Sequence, residues 1–542
     1  MARKVLAMRR VKVTVCWSVE EKSYPSSRLY YEEVANQYDI DNINTNNDSS
    51  IDILNGNHEP IRYQLSPRTP FFQHNDNLRS LSIGDGSMSI CNDSAKLLAA
   101  ALSNGSFSLN YFHIICWNLD DMYSGQIISA LGKHTELKTL DLYIKMGLES
   151  CVELSILIRN TKLGLEVLDL RGCEIVEEGT TALGDALGQN KTLKKLTLND
   201  MGEVTSIGWG SLVRCLSNPV CSLEEIELNT EDSEHDIDDE VVPILANSLS
   251  CNTKLKSLEI RCNNSISNLG WQSFFERLRL STSSLENLDF RYGAIDDIAV
   301  TLMVDVLTNM SSLKSLRLNG NNFITNSGWI TISSLLQSPQ CTLMNLQLGN
   351  NSNHTNVNDE VISSFANNLM TNKTLETLQF GTSRNAITSS GWNSLEKSLF
   401  NQSTIESIVN SNHTLHKAHY PHLNKPPGPH PSGGRRKRYR VASDKAMPYN
   451  FVCGDISLDS ILKMNENSNK VEVVRQKVIR YMRNGGVNIE TFVDMELEVL
   501  PSAIAWIGSN DVGISLLYCL AKNLPCLFDS DGKTNRKRKV PA

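Results

Sequence analysis

The sequence predicts an α/β solenoid of about twelve strand–helix units, followed by a small, mainly helical C-terminal unit. The first observation is a phrase of the form L-x-x-L-x-L that recurs every 28 to 32 residues. The second is that the residues between successive phrases have the periodicity of an amphipathic helix. One such unit is too small to bury its own apolar side, so the units are expected to stack and share a continuous core. The phrases begin at Leu78, Leu109, Leu137, Leu165, Leu193, Leu223, Leu255, Leu285, Leu313, Leu343, Leu375 and Ile405.

Each phrase predicts a short strand that ends in a turn. In Leu313–Leu318 the leucines are expected to face the core and the polar residues between them to face away from it. The side chain of Asn321, just after the strand, can both donate and accept hydrogen bonds. It is therefore predicted to satisfy buried backbone groups of the turn and to tie one turn to the next. Equivalent positions hold Asn263, Asn351 and the substitute Cys173.

The segments between the phrases predict one helix per unit, as in Thr180–Asn190, Val241–Asn252 and Val361–Asn372. A block of four units is duplicated at an offset of 120 residues, and in it two types of helix alternate. In one type of helix, the tryptophan is expected to pack on the neighbouring helix. The alternative is that the tryptophan rings of these helices form a row that contacts a partner. Helices of this type open with Gly followed by Trp209, Trp271, Trp329 and Trp392.

The repeat resembles a known class. Leucine-rich repeats of the ribonuclease-inhibitor type end in x-A-L-x-x-N-x-T-L-x-x-L-x-L, and the resemblance covers roughly residues 75–410. It implies a horseshoe-shaped leucine-rich-repeat solenoid with a concave strand face. The C-terminal unit resembles the tails that follow such arrays in some algal leucine-rich-repeat proteins, which implies no known activity. The matching residues are Ala186, Leu187, Asn190, Thr192, Leu193, Leu196 and Leu198.

Composition shifts divide the chain into five parts. Residues 1–75 form an N-terminal flank that is rich in Asn and Asp and is expected to be partly disordered. Residues 76–410 form the repeat array, and residues 411–453 a linker rich in His, Pro and basic residues. Residues 454–528 form the helical unit, and residues 529–542 a basic disordered tail.

Composition also limits the function. A net charge of −8 makes nucleic-acid binding an unfavoured interpretation. Thirteen cysteines without CxxC or zinc-finger spacing predict reduced thiols, hence a protein of the cytoplasm, the nucleus or both. The sequence contains no run of 18 apolar residues, so no membrane span is predicted. Without a phosphate loop, a nucleophile elbow or a metalloprotease motif, the sequence predicts no enzyme, cofactor, metal or small-molecule substrate.

The concave face is the predicted site of partner binding. Outward-facing positions of successive strands hold a stripe of acidic residues beside a partial row of arginines. The alternative is that neighbours such as Asp169 and Arg171 neutralise each other, since surface pairs contribute only ~0–1 kcal/mol. Tyr and Arg are frequent anchors of interfaces. The predicted contact residues are Tyr143, Asp169, Arg171, Glu227, Glu259, Arg261, Asp289, Arg291, Tyr292 and Arg317.

Two further sets of residues carry hypotheses of their own. His413, His416, His419 and His422 are three residues apart, as in some metal-binding tracts, but nearby prolines favour a solvated linker. Two basic runs are candidate nuclear-import signals that would bind an importin, with solubilising charge as the alternative. These runs contain Arg435, Arg436, Lys437 and Arg438, and Arg536, Lys537, Arg538 and Lys539.

The sequence leaves three possible functions to compare. A non-enzymatic scaffold or adaptor that binds a protein of unknown identity fits the repeat array best. A GTPase activator of the Ran type uses a similar array, but such proteins have an acidic tail and this chain ends with basic residues. A sensor or receptor would normally need a nucleotide-binding switch domain, for which the sequence contains no motif.

Overall fold

The structure is a computed structural model that divides into two compact units, residues 1–324 and residues 325–542. The residues that it describes are 50–53, 61–63, 78–83, 88–90, 92–202, 204–229, 237–262, 265–279, 284–348, 357–380, 387–403, 405–419, 452–453 and 456–484.

A parallel sheet runs through the first unit in chain order. Each strand pairs in register with the next, so that the leucines of successive phrases stand side by side, as Leu196 does with Ile226. The first strand, Ser50–Ile53, lies in the N-terminal flank, where partial disorder was predicted. The other strands are Ser80–Ile83, Tyr111–Cys116, Thr139–Met146, Val167–Asp169, Lys195–Asn199, Glu225–Asn229, Ser257–Arg261, Asn287–Asp289 and Ser315–Arg317.

One helix follows almost every strand of the first unit and packs on the helix of the next repeat. The phrase leucines and the apolar helix residues, such as Leu183 and Leu196, are fully buried between strands and helices. Two short parallel pairs are also present. The strand Ile61–Tyr63 pairs with Met88–Ile90. The short strand Glu174–Ile175 pairs with the end of Thr139–Met146, where Glu174 lies opposite Lys145. The helices are Asn92–Asn104, Asp121–Leu131, Leu148–Arg159, Glu177–Gln189, Ser206–Val213 with the 3₁₀ turn Arg214–Ser217, Val241–Cys251, Asn268–Leu278 and Asp297–Thr308.

The second unit has the same organisation. Strands Asn345–Leu348, Thr377–Phe380 and Lys417–His419 pair in parallel, and Val452–Cys453 pairs antiparallel with Ile456–Ser457. Its helices are Asn326–Ser333 with the 3₁₀ turn Ser334–Gln337, Asp359–Thr371, Ser389–Leu399, Ile405–Val409, Leu458–Asn465 and Lys470–Asn484.

The last repeat begins later than predicted. Ile405 opens a short helix and not a strand, so its place as the start of the twelfth phrase is wrong. Leu415 is the buried first leucine of the last phrase, and Ala418 takes the place of the second. Residues 411–419 therefore belong to a repeat, and their assignment to the linker is wrong. His413 and His416 lie in this repeat, and the side chain of each hydrogen-bonds to a backbone carbonyl.

The turn after the strand is held as predicted. Asn321 is fully buried, and its Nδ2 donates to the carbonyl of Phe290 in the previous repeat at 2.7 Å and to that of Leu318 at 2.9 Å. Cys173 Sγ donates to Leu142 O, also one repeat earlier, at 3.2 Å. Asn263 and Asn351 lie outside the described residues. The prediction that this position ties one turn to the next is thus confirmed at Asn321 and Cys173.

A second row of asparagines ties the ends of the helices together. Nδ2 of Asn190 donates to Ile158 O of the previous helix at 2.6 Å, and Oδ1 accepts from Leu193 N at 2.6 Å. Asn252, Asn372 and Asn412 each make the two equivalent contacts: Nδ2 donates to a carbonyl of the previous repeat, and Oδ1 accepts from the backbone amide three residues further along. The C-terminal helices continue this row, because Asn465 Nδ2 donates to Leu415 O at 2.7 Å.

The C-terminal helices cover the last described repeat of the second unit. Lys477 is fully buried in the helix Lys470–Asn484. Its ammonium group donates to Leu399 O at 2.6 Å and to Asn412 O at 3.1 Å, and it lies 2.9 Å from His413 Nδ1. Burial lowers the pKa of Lys477 well below its ordinary value. These contacts satisfy backbone carbonyls that a further repeat would otherwise cover.

The tryptophans belong to the core. Trp209, Trp271 and Trp329 have no exposed surface and Trp392 has 8%, which supports packing over a row of exposed rings. The glycine before three of them, Trp209, Trp271 and Trp392, has a separate reason. A Cβ atom on Gly208 would lie 2.6 Å from Glu177 Oε2, because the carboxylate of the preceding helix reaches this turn. Asp239 approaches Gly270 in the same way, and Asp359 approaches Gly391.

Candidate protein-interaction surface

The side of the strands that faces away from the helices carries one polar column. Parallel pairing places its members next to each other, each as the third residue of its strand. We call this column and the residues that flank it the polar sheet face. The column consists of His113, Asp141, Asp169, Thr197, Glu227, Glu259, Asp289 and Arg317.

Most carboxylates in the column have a cation of their own. Asp169 Oδ2 accepts from Arg171 Nη2 at 3.1 Å, and Glu227 lies 2.5 Å from Lys195 Nζ. Glu259 pairs with Arg261. The pairing within a strand that the sequence left as an alternative is therefore present at Asp169, Glu259 and Asp289.

Asp289 forms ion pairs with two arginines. Arg291 binds it through Nε at 2.8 Å and Nη2 at 2.6 Å, and Arg317 Nη1 lies 3.4 Å away on the next strand. The Asp289 side chain is only 8% exposed. Its hydrogen bonds raise the pKa of Arg291. Asp289 therefore acts mainly to fix two arginines, one of which, Arg317, remains 38% exposed and open to a partner.

A row of buried asparagines at the strand ends supports the column. Asn199 Oδ1 accepts from Asn229 N at 3.0 Å, and Asn229 Oδ1 accepts from Arg261 N at 3.0 Å. Nδ2 of Asn229 donates to Glu259 Oε1 at 2.9 Å and so orients this carboxylate beside Arg261. The sequence pattern alone does not indicate this supporting role of Asn199 and Asn229.

In five of the turns that follow strands, a residue one to three positions after the strand adopts the left-handed region. The φ angles are +66° at Gly172, +53° at Asp200, +59° at Cys262, +58° at Tyr292 and +83° at Gly320. Glycine adopts this conformation without a steric cost, whereas the other residues do not. Tyr292 thus holds a strained backbone conformation while its side chain is 44% exposed.

The two predicted tyrosines occupy equivalent environments. Tyr292 lies over Gly320 and Tyr143 lies over Gly172, so closely that a Cβ atom on either glycine would overlap the ring. Trp117 packs edge-on against Tyr143, with ring centroids 4.8 Å apart. Burial raises the pKa of Tyr143. Each tyrosine is therefore held on the backbone of the next turn.

Exposure divides the predicted contact residues into two groups. The side chains of Arg171 and Arg317 are 52% and 38% exposed, and Tyr292 is 44% exposed, so a partner can reach them directly. The carboxylates of Glu227, Glu259 and Asp289 are at most 19% exposed and serve to position basic neighbours.

A ladder of alternating charge borders the polar sheet face. Lys138 lies 3.3 Å from Glu166, which also accepts from Lys194 at 2.9 Å. The hydrogen bonds from Lys194 and Lys138 lower the pKa of Glu166. This ladder was missed, although the signal is visible as alternating Lys and Glu after the first leucine of each phrase. Its further members are Glu224, Lys256, Glu286 and Lys314.

The structure describes only some of the residues in the remaining predicted sites. Both candidate import runs lie outside the described residues, as does His422. Within the described part of the chain, no group of three or more His, Cys, Asp or Glu side chains could hold a metal ion. No helix in the same part is long and apolar enough to span a membrane.

Comparison with known proteins gives partial similarities. No protein-family model matches the chain. The NACHT, LRR and PYD domains-containing protein 5 of Mus musculus is 28% identical over 276 residues, which are 51% of this chain and 23% of that protein. The NACHT, LRR and PYD domains-containing protein 12 of Homo sapiens is 28% identical over 238 residues, which are 42% of this chain and 21% of that protein. The ribonuclease inhibitor of Mus musculus is 28% identical over 193 residues, which are 35% of this chain and 40% of that protein.

The class of protein follows from the repeats and these similarities. Parallel strands that alternate with helices, joined by the repeating asparagines, define an α/β leucine-rich-repeat solenoid. The chain is a leucine-rich-repeat protein of the ribonuclease-inhibitor-like type, as predicted from sequence. It spans less than half the length of each of the three relatives.

Proposed function

We propose that the chain is a non-enzymatic scaffold or adaptor that binds a partner protein on the polar sheet face of its first unit. The observation that carries this proposal is the exposure of Arg171, Tyr292 and Arg317 on one ordered face, where buried carboxylates and glycine turns hold their positions. Tyr and Arg dominate the energetic centres of protein interfaces.

The geometry suits recognition of a protein surface. Ion pairs in register along the strands present fixed charges of both signs, and ordered charge contributes to specificity and association rate more than to affinity. Because these side chains are already held by neighbours, binding a partner costs little further conformational entropy. The similarity to a ribonuclease inhibitor, a protein named for its action on another protein, supports the same interpretation.

The test begins with crosslinking mass spectrometry in cells, which identifies the partner and the face that it touches. The double variant Arg171→Glu with Tyr292→Ser is then compared with Ile156→Ser, a control whose side chain is 56% exposed on the helix Leu148–Arg159. We expect the double variant to lose capture of the crosslinked partner and the control to retain it. Crosslinks confined to the helices, with equal capture by both variants, would contradict the proposal.

A sensor-type repeat protein is the second candidate. The similarity to two NACHT, LRR and PYD domains-containing proteins favours it, although it covers only about half of this chain or less. In this case the array would bind its ligand and report it to another part of a larger assembly. Size-exclusion chromatography with light scattering, before and after addition of the crosslinked partner, separates the candidates. A change in oligomeric state on binding favours the sensor, and a simple complex favours the scaffold.

We also propose where in the cell the protein is located. The basic runs around Arg435–Arg438 and Arg536–Lys539 would bind an importin and bring the chain from the cytoplasm into the nucleus. Fusion of each run to a fluorescent reporter tests this. Nuclear accumulation that is lost when the Lys and Arg residues become Ala supports import, and a uniform distribution contradicts it.

A further inference from the structure

One carboxylate on the polar sheet face lacks the cation that its neighbours have. Asp169, Glu227, Glu259 and Asp289 each pair with a Lys or Arg side chain. Among the described residues, Asp141 has no such pair. The hydroxyl of Tyr111 donates to Asp141 Oδ2 at 2.9 Å, and His113 Nδ1 lies 3.8 Å away. The strand Thr139–Met146 therefore presents a carboxylate that no Lys or Arg of the described residues contacts directly, and the charges of His113 and Arg171 favour its ionised form only from a greater distance.

The environment of Asp141 makes that charge costly. Its side chain is only 24% exposed. Burial raises the pKa of Asp141; the Tyr111 hydrogen bond lowers it, and the neighbouring charge of Asp169 raises it again. A carboxylate in such a site gains more from a new opposite charge than one in open water, because the local dielectric is lower.

Aromatic rings stand on both sides of this carboxylate. Tyr143 is two residues further along the same strand and so lies on the same face. Tyr111 is on the adjacent strand, in register with Thr139. Trp117 supports Tyr143 from the side. The faces of aromatic rings attract cations, and a carboxylate accepts strong hydrogen bonds from guanidinium and ammonium groups.

An independent observation lies on the same column. Thr197 has no exposed surface, and its Oγ1 has no hydrogen-bond partner among the described residues. It follows Asp141 and Asp169 in register, two strands along, at about 10 Å from Asp141 by the usual strand spacing. Buried hydroxyl groups normally have a partner. Because Thr197 has no exposed surface, a donor from a partner would reach its hydroxyl only after the side chains that cover it move aside.

We propose that Asp141, flanked by Tyr111 and Tyr143, forms a subsite that binds a basic side chain of the partner protein, with arginine preferred over lysine. Arginine is preferred because its planar guanidinium group can stack on a tyrosine ring and donate two parallel hydrogen bonds to one carboxylate. This inference rests on the proposed function and specifies the chemistry of the partner. It predicts an exposed basic residue at the part of the partner that meets the strand Thr139–Met146.

The probe is a library of random heptapeptides displayed on phage and selected against the full chain. Selected peptides are then synthesised with each arginine intact or replaced by citrulline, which has nearly the same shape and no charge. Affinities are measured for the wild type, Asp141→Asn, and the control Asp185→Asn on the exposed side of the helix Glu177–Gln189. Circular dichroism confirms that each variant is folded.

We expect one arginine or lysine to be enriched in the peptides. Citrulline at that position should weaken binding to the wild type and to Asp185→Asn about tenfold or more, the size expected for a charged hydrogen bond. In Asp141→Asn the difference between arginine and citrulline should disappear. Tyr143→Leu, which keeps an apolar cover, should weaken binding about two- to fivefold through the lost cation–π contact.

Two results would overturn the subsite. One is the absence of basic residues from the enriched peptides. The other is an arginine-to-citrulline ratio that Asp141→Asn leaves unchanged. Failure of the subsite is distinguishable from failure of the proposed function by the double variant Arg171→Glu with Tyr292→Ser. If that variant loses the peptides while Asp141→Asn does not, the face binds protein and only the subsite is wrong; if neither loses them, both proposals fail.

Discussion

Replacement of Asp121 by Ala is predicted to loosen the start of the next helix. The helix Leu148–Arg159 follows Gly147, which has no side chain to cap it. Asp121, from the preceding repeat, takes over this role: its carboxylate accepts from Gly147 N at 2.7 Å, Glu149 N at 2.9 Å and Ser150 N at 3.1 Å, and from the Ser150 hydroxyl. These amides have no partner within their own helix.

The magnitude follows from these bonds. Loss of an N-terminal cap costs about 0.5–2 kcal/mol, and hydrogen bonds to a charged group contribute about 1.5–3 kcal/mol. Because Asp121 is partly exposed, water replaces some of the lost bonds. We therefore expect Asp121→Ala to lower the free energy of unfolding by about 2–3 kcal/mol, which is within the usual range for the loss of a cap and its bonds.

Urea denaturation followed by circular dichroism measures the total effect, and hydrogen exchange locates it. Amide exchange at Glu149 and Ser150 should accelerate, whereas exchange in the helix Val241–Cys251 should not change. The control is Asp93→Ala, which also removes an aspartate from a first helical turn, but one that is 91% exposed and lies 3.9 Å from Lys96. Equal effects of Asp121→Ala and Asp93→Ala, with unchanged exchange at Ser150, would refute the assignment of the cap to Asp121.

Three further predictions concern the turns and a buried histidine. Gly270→Ala forces a methyl group against the Asp239 carboxylate and should cost about 1–3 kcal/mol in urea denaturation, while Gly164→Ala, with open space around it, should cost much less. Tyr292→Gly relieves a left-handed backbone; we expect the unfolding free energy to change by less than about 1 kcal/mol while partner capture falls, and a large loss of stability would contradict an interface role. Burial lowers the pKa of His134 to about 4, below its ordinary value of 6.5, so the unfolded chain binds the additional proton first. Stability should then fall as the pH drops from 6.5 towards 4, by at most about 3 kcal/mol, and His134→Gln should flatten this dependence in urea midpoints measured at pH 7 and pH 5.

The fold could be predicted because it depends on periodic patterns. Alternation along each strand and recurrence of the phrase fix which residues enter the core, and the leucines of Leu193–Leu198 are buried as expected. The last strand escaped because Ala418 replaces a leucine and because histidine and proline dominate the following composition. Its signal was the N-x-T-L sequence from Asn412 to Leu415, which matches the one from Asn190 to Leu193.

The interaction surface could be predicted only in part. Strand geometry determines that Asp169, Glu259 and Asp289 share one column, so their alignment was predictable. How deeply each carboxylate is buried was not predictable, because burial depends on which neighbouring side chain covers the carboxylate. Arg291 and Arg317 converge on Asp289 and cover it, whereas Asp141 has only a tyrosine hydroxyl and a histidine nearby. Contacts between strands of this kind have no local signature in the sequence.

The alternation of polar contacts shows that the array is built from pairs of repeats. Glu177 binds Thr205 at the start of the next helix through both its amide and its hydroxyl, and Asp239 binds Ser267 in the same way. The charge ladder alternates with the same period, from Lys138 to Glu166 and Lys194. Apolar packing alone would accept any neighbour, so these contacts specify the order of repeats.

Deletion of whole repeats tests this order. Removal of residues 166–193, one repeat, leaves Lys138 beside Lys194 and places Glu149 at the position that Glu177 holds relative to Thr205. Removal of residues 166–223, two repeats, leaves Lys138 beside Glu224 and joins helices of matching type. The shorter deletion should therefore be less stable than the longer one, by up to about 1 kcal/mol for the like charges that it brings together on adjacent strands. A shorter deletion that is at least as stable in urea as the longer one would show that apolar packing sets the order by itself.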